Sequence, residues 1–375
     1  MVKVDYKCKS GELLPANKYL RAVGDIGCPG SFALGYYMDC VKEQFQKKFL
    51  FSKNGRDCSL EFIKTPEPKT LSRAFKELWE CDGFVMKYFS DDSCISIKCS
   101  DGQLVANLDI SACDGSNYDP VFKLLKTAMS VDSRFYDDID AAFAQLKAPM
   151  EIREIGGPGR ILLKPKGHVL YSGSVLTTSV NNMANTLIGL AIAKTLPRNC
   201  TKAQAIQCIE VAANSVGYIL KVDVCNELED LQFLKHSPSF VDGSYIPWLN
   251  FGTMLRGLGC FRGDLPGSSK VLVSDRAKIF TSDVVKSYVH AGNTSVLGAL
   301  QNKVINKTFG MSFDQMRIDA GANSKVYIPD EYVRRRYKFS ASQFEEFVWL
   351  VREAQFGDFV RSDLLDVVFA KDYGY

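Results

Sequence analysis

Asp91, Asp92, Asp109 and Asp114 stand around short apolar runs in the stretch YFSDDSCISIKCSDGQLVANLDISACD, residues 88–114. Carboxylates brought together repel and raise one another's pKa. A divalent cation removes that cost, and oxygen ligands at this density suit Mg²⁺ or Mn²⁺. Two such ions a few ångströms apart stabilise an in-line phosphoryl displacement. Asp91, Asp92 and Asp109 are therefore the expected ligands of two ions. The plain alternative, the usual meaning of an isolated Asp-Asp pair, is an exposed acidic turn that binds nothing.

For these carboxylates to meet, the chain between them must fold back twice. Phe84–Phe89 (FVMKYF) reads as a strand from its aromatic and branched residues. Ser90, Asp91 and Asp92 then read as a tight turn, and residues 93–98 (SCISIK) as a returning strand. Asp101-Gly102 favours a second turn. In residues 103–110, Leu104, Ala106, Leu108 and Ile110 alternate with Val105, Asn107 and Asp109, the period of a strand. At ~3.3 Å per residue the two later strands have similar lengths, so Asp109 should end beside Asp91 and Asp92. A further acidic run, Asp137, Asp138 and Asp140, leads into AAFAQLK and reads as a solvated helix start.

Residues 171–182 (YSGSVLTTSVNN) fit SGxxxTxxxN through Ser172, Gly173, Thr177 and Asn181. Gly173 permits a backbone turn. Thr177, Asn181, Ala184 and Ile188 then recur at helical spacing. A loop entering a helix with a polar face could bond sugar hydroxyls and phosphates; a Ser/Thr-rich N-cap is the alternative.

Together, Asp109-x4-Asp114 and the later SGxxxTxxxN resemble motifs A and B of the RNA-dependent RNA polymerases of positive-strand RNA viruses. The resemblance implies that Asp109 binds catalytic metal, and that Asp114 with Asn181 recognises the ribose 2′-hydroxyl, Ser172, Gly173 and Thr177 belonging to the same nucleotide site. The family's third acidic hairpin, motif C, normally follows motif B, yet no Asp-Asp pair follows Asn182. The one such pair between apolar runs, YFSDDSCI, precedes motif A. The order C–A–B is similar to that of the permuted polymerases of permutotetraviruses and birnaviruses, with Ser90 where a glycine is usual. Residues 203–216 read as an amphipathic helix before the strand-like GYILKVD. This pair is similar to motif D, which implies that Lys221 protonates the departing pyrophosphate. LQFLKHSP, residues 231–238, is similar to the motif-E hairpin, with Lys235 toward RNA phosphate. Lys7, Lys9, Lys18 and Arg21 resemble motif F, which implies that Lys18 and Arg21 hold the incoming triphosphate; a basic exposed strand is the alternative.

The implied fold is α+β: a right-hand polymerase of fingers, palm and thumb, with an antiparallel palm sheet flanked by helices. Its expected segments are fingers 1–80, palm 81–128 with motifs C and A, a fingers insertion 129–165, palm 166–244 with motifs B, D and E, and thumb 245–375. At ~100–200 residues per domain, 375 residues suit two or three packed units. In the last segment YVRRRYK interleaves Arg334, Arg335 and Arg336 with Tyr332 and Tyr337, a pattern suited to RNA stacking and phosphate contact or to a solvated charged face. Ser342 with Glu345 predicts a capping box there, and Phe344, Phe347, Val348 and Val351 an internal helix face. The GGPG at 156–159 lacks a following GK[ST] and reads as a turn.

A net charge of +3 makes no overall claim on nucleic acid. Twelve cysteines without a CxxC pair, and three histidines away from paired cysteines, exclude the common zinc-site patterns. Free buried thiols in a reduced compartment are expected, Cys94 and Cys113 among them. The longest apolar run, residues 187–193, is too short to span a bilayer. The resemblance implies an RNA template, nascent RNA and ribonucleoside triphosphates as partners, with replication-complex proteins, in the host cytoplasm or the virion. Three other readings remain open: a reverse transcriptase-like enzyme, an inactive polymerase-derived RNA-binding protein, and a two-metal nuclease.

Overall fold

Residues 84–110 fold as a meander of β5 (Phe84–Phe89), β6 (Asp92–Cys99) and β7 (Gly102–Ile110), as their alternation predicts. Gly102 opens β7 at a φ of 119°, a conformation that would strain a side chain. The first turn is tighter than expected. Phe89 pairs directly with Asp92, so only Ser90 and Asp91 lie between the strands. Ser90 takes a φ of 56°, the left-handed region of two-residue hairpin loops.

The computed structural model describes residues 2–7, 21–25, 35, 47–64, 67–130, 133–153, 158–170, 174–259, 265, 267–305, 326–355 and 358–373. They divide into two compact units, residues 1–64 with 80–224 and residues 65–79 with 225–375.

In the first unit the meander is the middle of a six-stranded sheet. β4 (Arg56–Phe62) runs parallel to β5, and β3 (Lys48–Lys53) antiparallel to β4. On the other side β10 (Leu220–Val224) runs antiparallel to β7. The order is β10-β7-β6-β5-β4-β3. Gly83, just before β5, marks a close backbone approach: a Cβ there would lie 2.3 Å from the Asp57 carbonyl oxygen. A separate sheet has the order β2-β1-β8-β9, built from β1 (Val2–Lys7), β2 (Arg21–Asp25), β8 (Met150–Arg153) and β9 (Arg160–Leu163).

After β7 come the short α2 (Cys113–Ser116), then α3 (Asp119–Met129) and α4 (Tyr136–Gln145), whose Asp137 and Asp138 lie in its exposed first turn as expected. Helices α5 (Thr177–Thr195) and α6 (Lys202–Ser215) pack on one face of the large sheet. Leu60, Met86, Tyr88, Ile95, Ala106 and Leu108 form one buried cluster with Val180, Ala184, Ile188 and Ile209. A Cβ on Gly189 would fall 2.7 Å from Leu60, so this glycine lets α5 lie close to the strands. Thr201 and Gln204 make the capping box that starts α6.

The second unit gathers α1 (Pro68–Trp79) and the hairpin of β11 (His236–Val241) and β12 (Ser244–Leu249), with α1 packed on β12. The expected segments place α1 in residues 1–80 and divide the hairpin between 166–244 and 245–375; the structure joins both to the C-terminal unit. Among the described residues six further α-helices follow: α7 (Phe251–Gly259), α8 (Val273–Ser287), α9 (Ser295–Gln301), α10 (Asp330–Tyr337), α11 (Ala341–Glu353) and α12 (Asp363–Tyr373). Phe251 stacks on Tyr337, Phe344 and Phe347 in the core. The capping box of α11 is made by Ser340 and Gln343, two residues before the expected pair. The apolar face Phe344, Phe347, Val348 and Val351 is buried as expected. Among the described residues no helix is long and apolar enough to cross a membrane.

Candidate active site

Strand pairing alone sets the acidic rim. Asp92 is opposite Asp109 on β6 and β7, and Asp109 is opposite Lys221 on β7 and β10. Residues directly paired in antiparallel strands point to the same face, with Cβ atoms about 4.5–5.5 Å apart. The row Asp92–Asp109–Lys221 therefore lies on one face, opposite the one carrying Leu108 and Ile110, both buried against the helices. Asp109 and Lys221 are exposed and Asp92 half-buried. Two opposed carboxylates destabilise a sheet unless a countercharge stands beside them; the lysine supplies one. Asp91 occupies the turn immediately before this row.

Asp114 joins the group through α2. That short helix starts just beyond β7, after Ala112 in a left-handed conformation. Cys113 reports the local field. Burial pushes its thiol well above the usual range, and the carboxylates of Asp91, Asp114 and Asp109 push it further. Cys113 is buried as expected and opens this helix.

Helix α5 holds the acidic turn with three asparagines. Asn182 Oδ1 accepts from the Ser90 backbone N–H at 2.8 Å. Asn185 Nδ2 donates to the Ser90 carbonyl at 2.7 Å. Asn181 Nδ2 donates to Asp114 Oδ1 at 3.0 Å and to Ser90 Oγ at 3.4 Å. Asn181 is only 1 % exposed. Its carboxamide is engaged by protein on both sides, with Asp114 as one direct partner. Asn117 Nδ2 donates to Asn181 Oδ1 at 2.9 Å, and the Tyr218 hydroxyl donates to Asn117 Oδ1 at 2.9 Å.

The sequence reading missed Asn117, Asn182, Asn185 and Tyr218. A signal existed for two of them: asparagine is a poor residue for a helix interior, and Asn181, Asn182 and Asn185 crowd one apolar helix. Asn117 and Tyr218 carry no such mark, because only the packed structure brings them together.

The remaining expected site residues are dispersed. Thr177 is the first residue of α5. Ser172, Gly173, Lys9 and Lys18 lie outside the described residues. Arg21 starts β2, with its backbone opposite Lys7 of β1. In the second unit Lys235 and Leu234 form a two-residue turn between Phe233 and His236, both at positive φ. Non-glycine residues there cost about 1 kcal/mol or more each. The Lys235 ammonium lies 5.4 Å from the centre of the Tyr373 ring, which also carries Arg256 at 4.9 Å. Arg335 is exposed and stacks on Tyr332, while Arg334 donates to the Phe339 carbonyl.

Arg336 corrects the RNA-contact expectation. It is 2 % exposed, donates to Asp372 at 3.0 and 2.9 Å, and reaches the Glu229 carbonyl and Gln232. A helix that presents Arg335 outward turns Arg336 about 100° away, here into the core.

Among the described residues no three carboxylate, imidazole or thiol side chains gather tightly enough to hold a metal unaided. The donors present nevertheless suit Mg²⁺. That ion keeps several waters and is bound by one or two carboxylates together with substrate phosphates. Asp92 and Asp109 are such a pair, with Asp91 adjacent.

No protein-family model and no curated protein matches the chain. Solved structures do. One is the X-ray structure of the birnavirus VP1–VP3 complex, with a TM-score of 0.50 and 11% identity over 81% of this chain and 42% of that one. Another is the RNA polymerase VP1 from infectious pancreatic necrosis virus, with a TM-score of 0.47 and 12% identity over 94% of this chain and 55% of that one. The chain thus shares its fold with the birnavirus protein, and spans about half the length of the structures it matches or less.

Proposed function

We propose that this chain carries the catalytic part of an RNA-dependent RNA polymerase with permuted palm motifs. The observation that carries the reading is the cross-strand row Asp92–Asp109–Lys221, with Asp91 in the turn before it and Asp114 tied to Asn181 beside it. The fold shared with the birnavirus protein supports it.

In this reading Asp91, Asp92 and Asp109 hold two Mg²⁺ or Mn²⁺ ions at the rim. When bound, the ions supply Lewis-acid stabilisation of the phosphate charge. The 3′-hydroxyl of the growing RNA gives its proton to solvent water, and its oxygen forms a bond to the α-phosphorus of a ribonucleoside triphosphate. The bond from that phosphorus to the β-phosphate bridge breaks, and pyrophosphate leaves. Lys221, on the same face as Asp109, gives a proton to the leaving pyrophosphate. In this reading Asp114, held by Asn181, serves the sugar hydroxyl, and the motif resemblance assigns Ser172, Gly173 and Thr177 to the same nucleotide and Lys18 and Arg21 to its triphosphate.

The large sheet with its two helices is the proposed palm. Of residues 1–80, expected as fingers, β3 and β4 belong to this sheet and α1 to the second unit; the remainder of that segment and residues 129–165 are the proposed fingers, and residues 245–375, with α1 and the β11–β12 hairpin, the proposed thumb. Lys235, Arg334 and Arg335 are the proposed RNA contacts, on template and nascent strands. A viral protein partner, as VP3 is for the birnavirus protein, completes a replication complex in the host cytoplasm or the virion.

The deciding experiment is primer extension on an RNA template with Mg²⁺ or Mn²⁺. Asp109→Ala and Asp91→Ala should each abolish incorporation and leave the thermal melt in place. Full activity in either variant removes the metal assignment.

A further inference from the structure

A carboxylate can only accept hydrogen bonds, and that fixes the direction of every bond leading to Asp114. Asn181 must present Nδ2 to Asp114, so its Oδ1 faces Asn117. Asn117 must then present Nδ2, which it also donates to the Cys113 carbonyl at 2.9 Å. Its own Oδ1 is left to accept from the Tyr218 hydroxyl. Tyr218 is completely buried and Asn117 nearly so, at 7 %. Each amide has both hydrogens engaged: Asn117 on Cys113 and Asn181, Asn181 on Asp114 and Ser90. Asn181 has no hydrogen left for a substrate, whereas Asp114 is only half-buried. Tyr218 sits between α6 and β10, two residues before the strand that carries Lys221.

We infer that Tyr218 and Asn117 are positioning residues for sugar selection: they brace Asn181 from behind, and Asn181 in turn holds Asp114 as the group that accepts from the ribose 2′-hydroxyl. The inference rests on the polymerase reading and assigns Asn181 a role through Asp114, not one on the sugar itself. Burial keeps the Tyr218 hydroxyl protonated far above neutral pH, so it remains a donor under all working conditions. Without that donor the buried Asn117 Oδ1 is left without a partner, and the brace it gives Asn181 behind Asp114 loosens.

The test is the ratio of kcat/KM for a ribonucleoside triphosphate to that for its 2′-deoxy analogue, measured by single-nucleotide extension. Tyr218→Phe should lower the ratio about tenfold, mainly through a higher KM for the ribonucleotide, a size set by the loss of one hydrogen bond. Asn117→Asp keeps an acceptor for Tyr218 but removes the donor to Asn181, and should lower the ratio at least as far. In an Asp114→Ala background, Tyr218→Phe should add nothing, because the relay acts only through that carboxylate. A ratio that stays at the wild-type value in both single variants, or that falls equally with and without Asp114, overturns the inference and leaves the polymerase reading intact. So does an equal loss with both nucleotides alongside a lowered melt, the mark of a merely structural role. Wild-type protein that incorporates neither nucleotide overturns both.

Discussion

Single side chains divide here into those that meet solvent at the rim and those that hold them. Lys221 belongs to the first group, paired with Asp109 and exposed. If it donates a proton to pyrophosphate, Lys221→Leu should reduce kcat by about 10²–10³-fold with little change in KM, read by single-turnover extension. His236 lies away from the rim, in the second unit, with its Nδ1 2.7 Å from the Leu234 carbonyl oxygen. Burial, and more weakly the neighbouring His290, hold its imidazole down to about 4, against the pull of the Leu234 carbonyl. The unfolded chain, with a histidine pKa near 6.5, therefore binds the proton first. Stability from this group is complete above about pH 6.5 and is lost as pH falls toward 4, by on the order of 1–3 kcal/mol. Denaturant unfolding of wild type and His236→Gln across that range checks it: the variant should show the flatter slope.

At the level of elements, the acidic rim forms because a turn and two helices converge on one sheet edge. The β5–β6 turn needs a left-handed residue at its first position, and serine fills it. Three asparagines of α5 compensate by bonding both backbone groups and the side chain of Ser90. Asn185→Ala leaves the Ser90 carbonyl without its donor. It should cost about 1–3 kcal/mol of stability and lower incorporation more than stability alone explains, because the displaced turn carries Asp91. Thermal melts and extension rates measured on the same preparation separate the two effects. An unchanged rate in a folded variant would mean that the turn holds its shape without the helix.

Over the whole molecule, two units carry separate cores. The second is locked by a buried ionic cluster. Asp372 near the end of α12 accepts from Arg336, from the Tyr337 hydroxyl and from the Gly252 N–H. Removing one partner of a buried pair costs about 3–5 kcal/mol, since the other charge is left uncompensated. Arg336→Met should therefore shift one calorimetric transition down while leaving the other near its wild-type temperature. A uniform shift of a single transition would show that the two units unfold together.

Several features were legible in the amino-acid order because they rest on local periodicity and on covalent neighbours. The two-residue alternation gave the three strands of the meander, and Asp-Gly its second turn. Counting strand directions brought Asp91, Asp92 and Asp109 to one rim, since direction reverses at every tight turn whatever the connectivity elsewhere. Three things depended on tertiary packing. Arg336 is indistinguishable from Arg335 in sequence, but a helix of 3.6 residues per turn sends the two to different surroundings. The cap of α11 moved from Ser342 to Ser340, because both fit the local pattern and only the docked helix selects one. The relay from Tyr218 through Asn117 and Asn181 to Asp114 joins segments about a hundred residues apart, and the direction of its hydrogen bonds exists only once a carboxylate closes the chain.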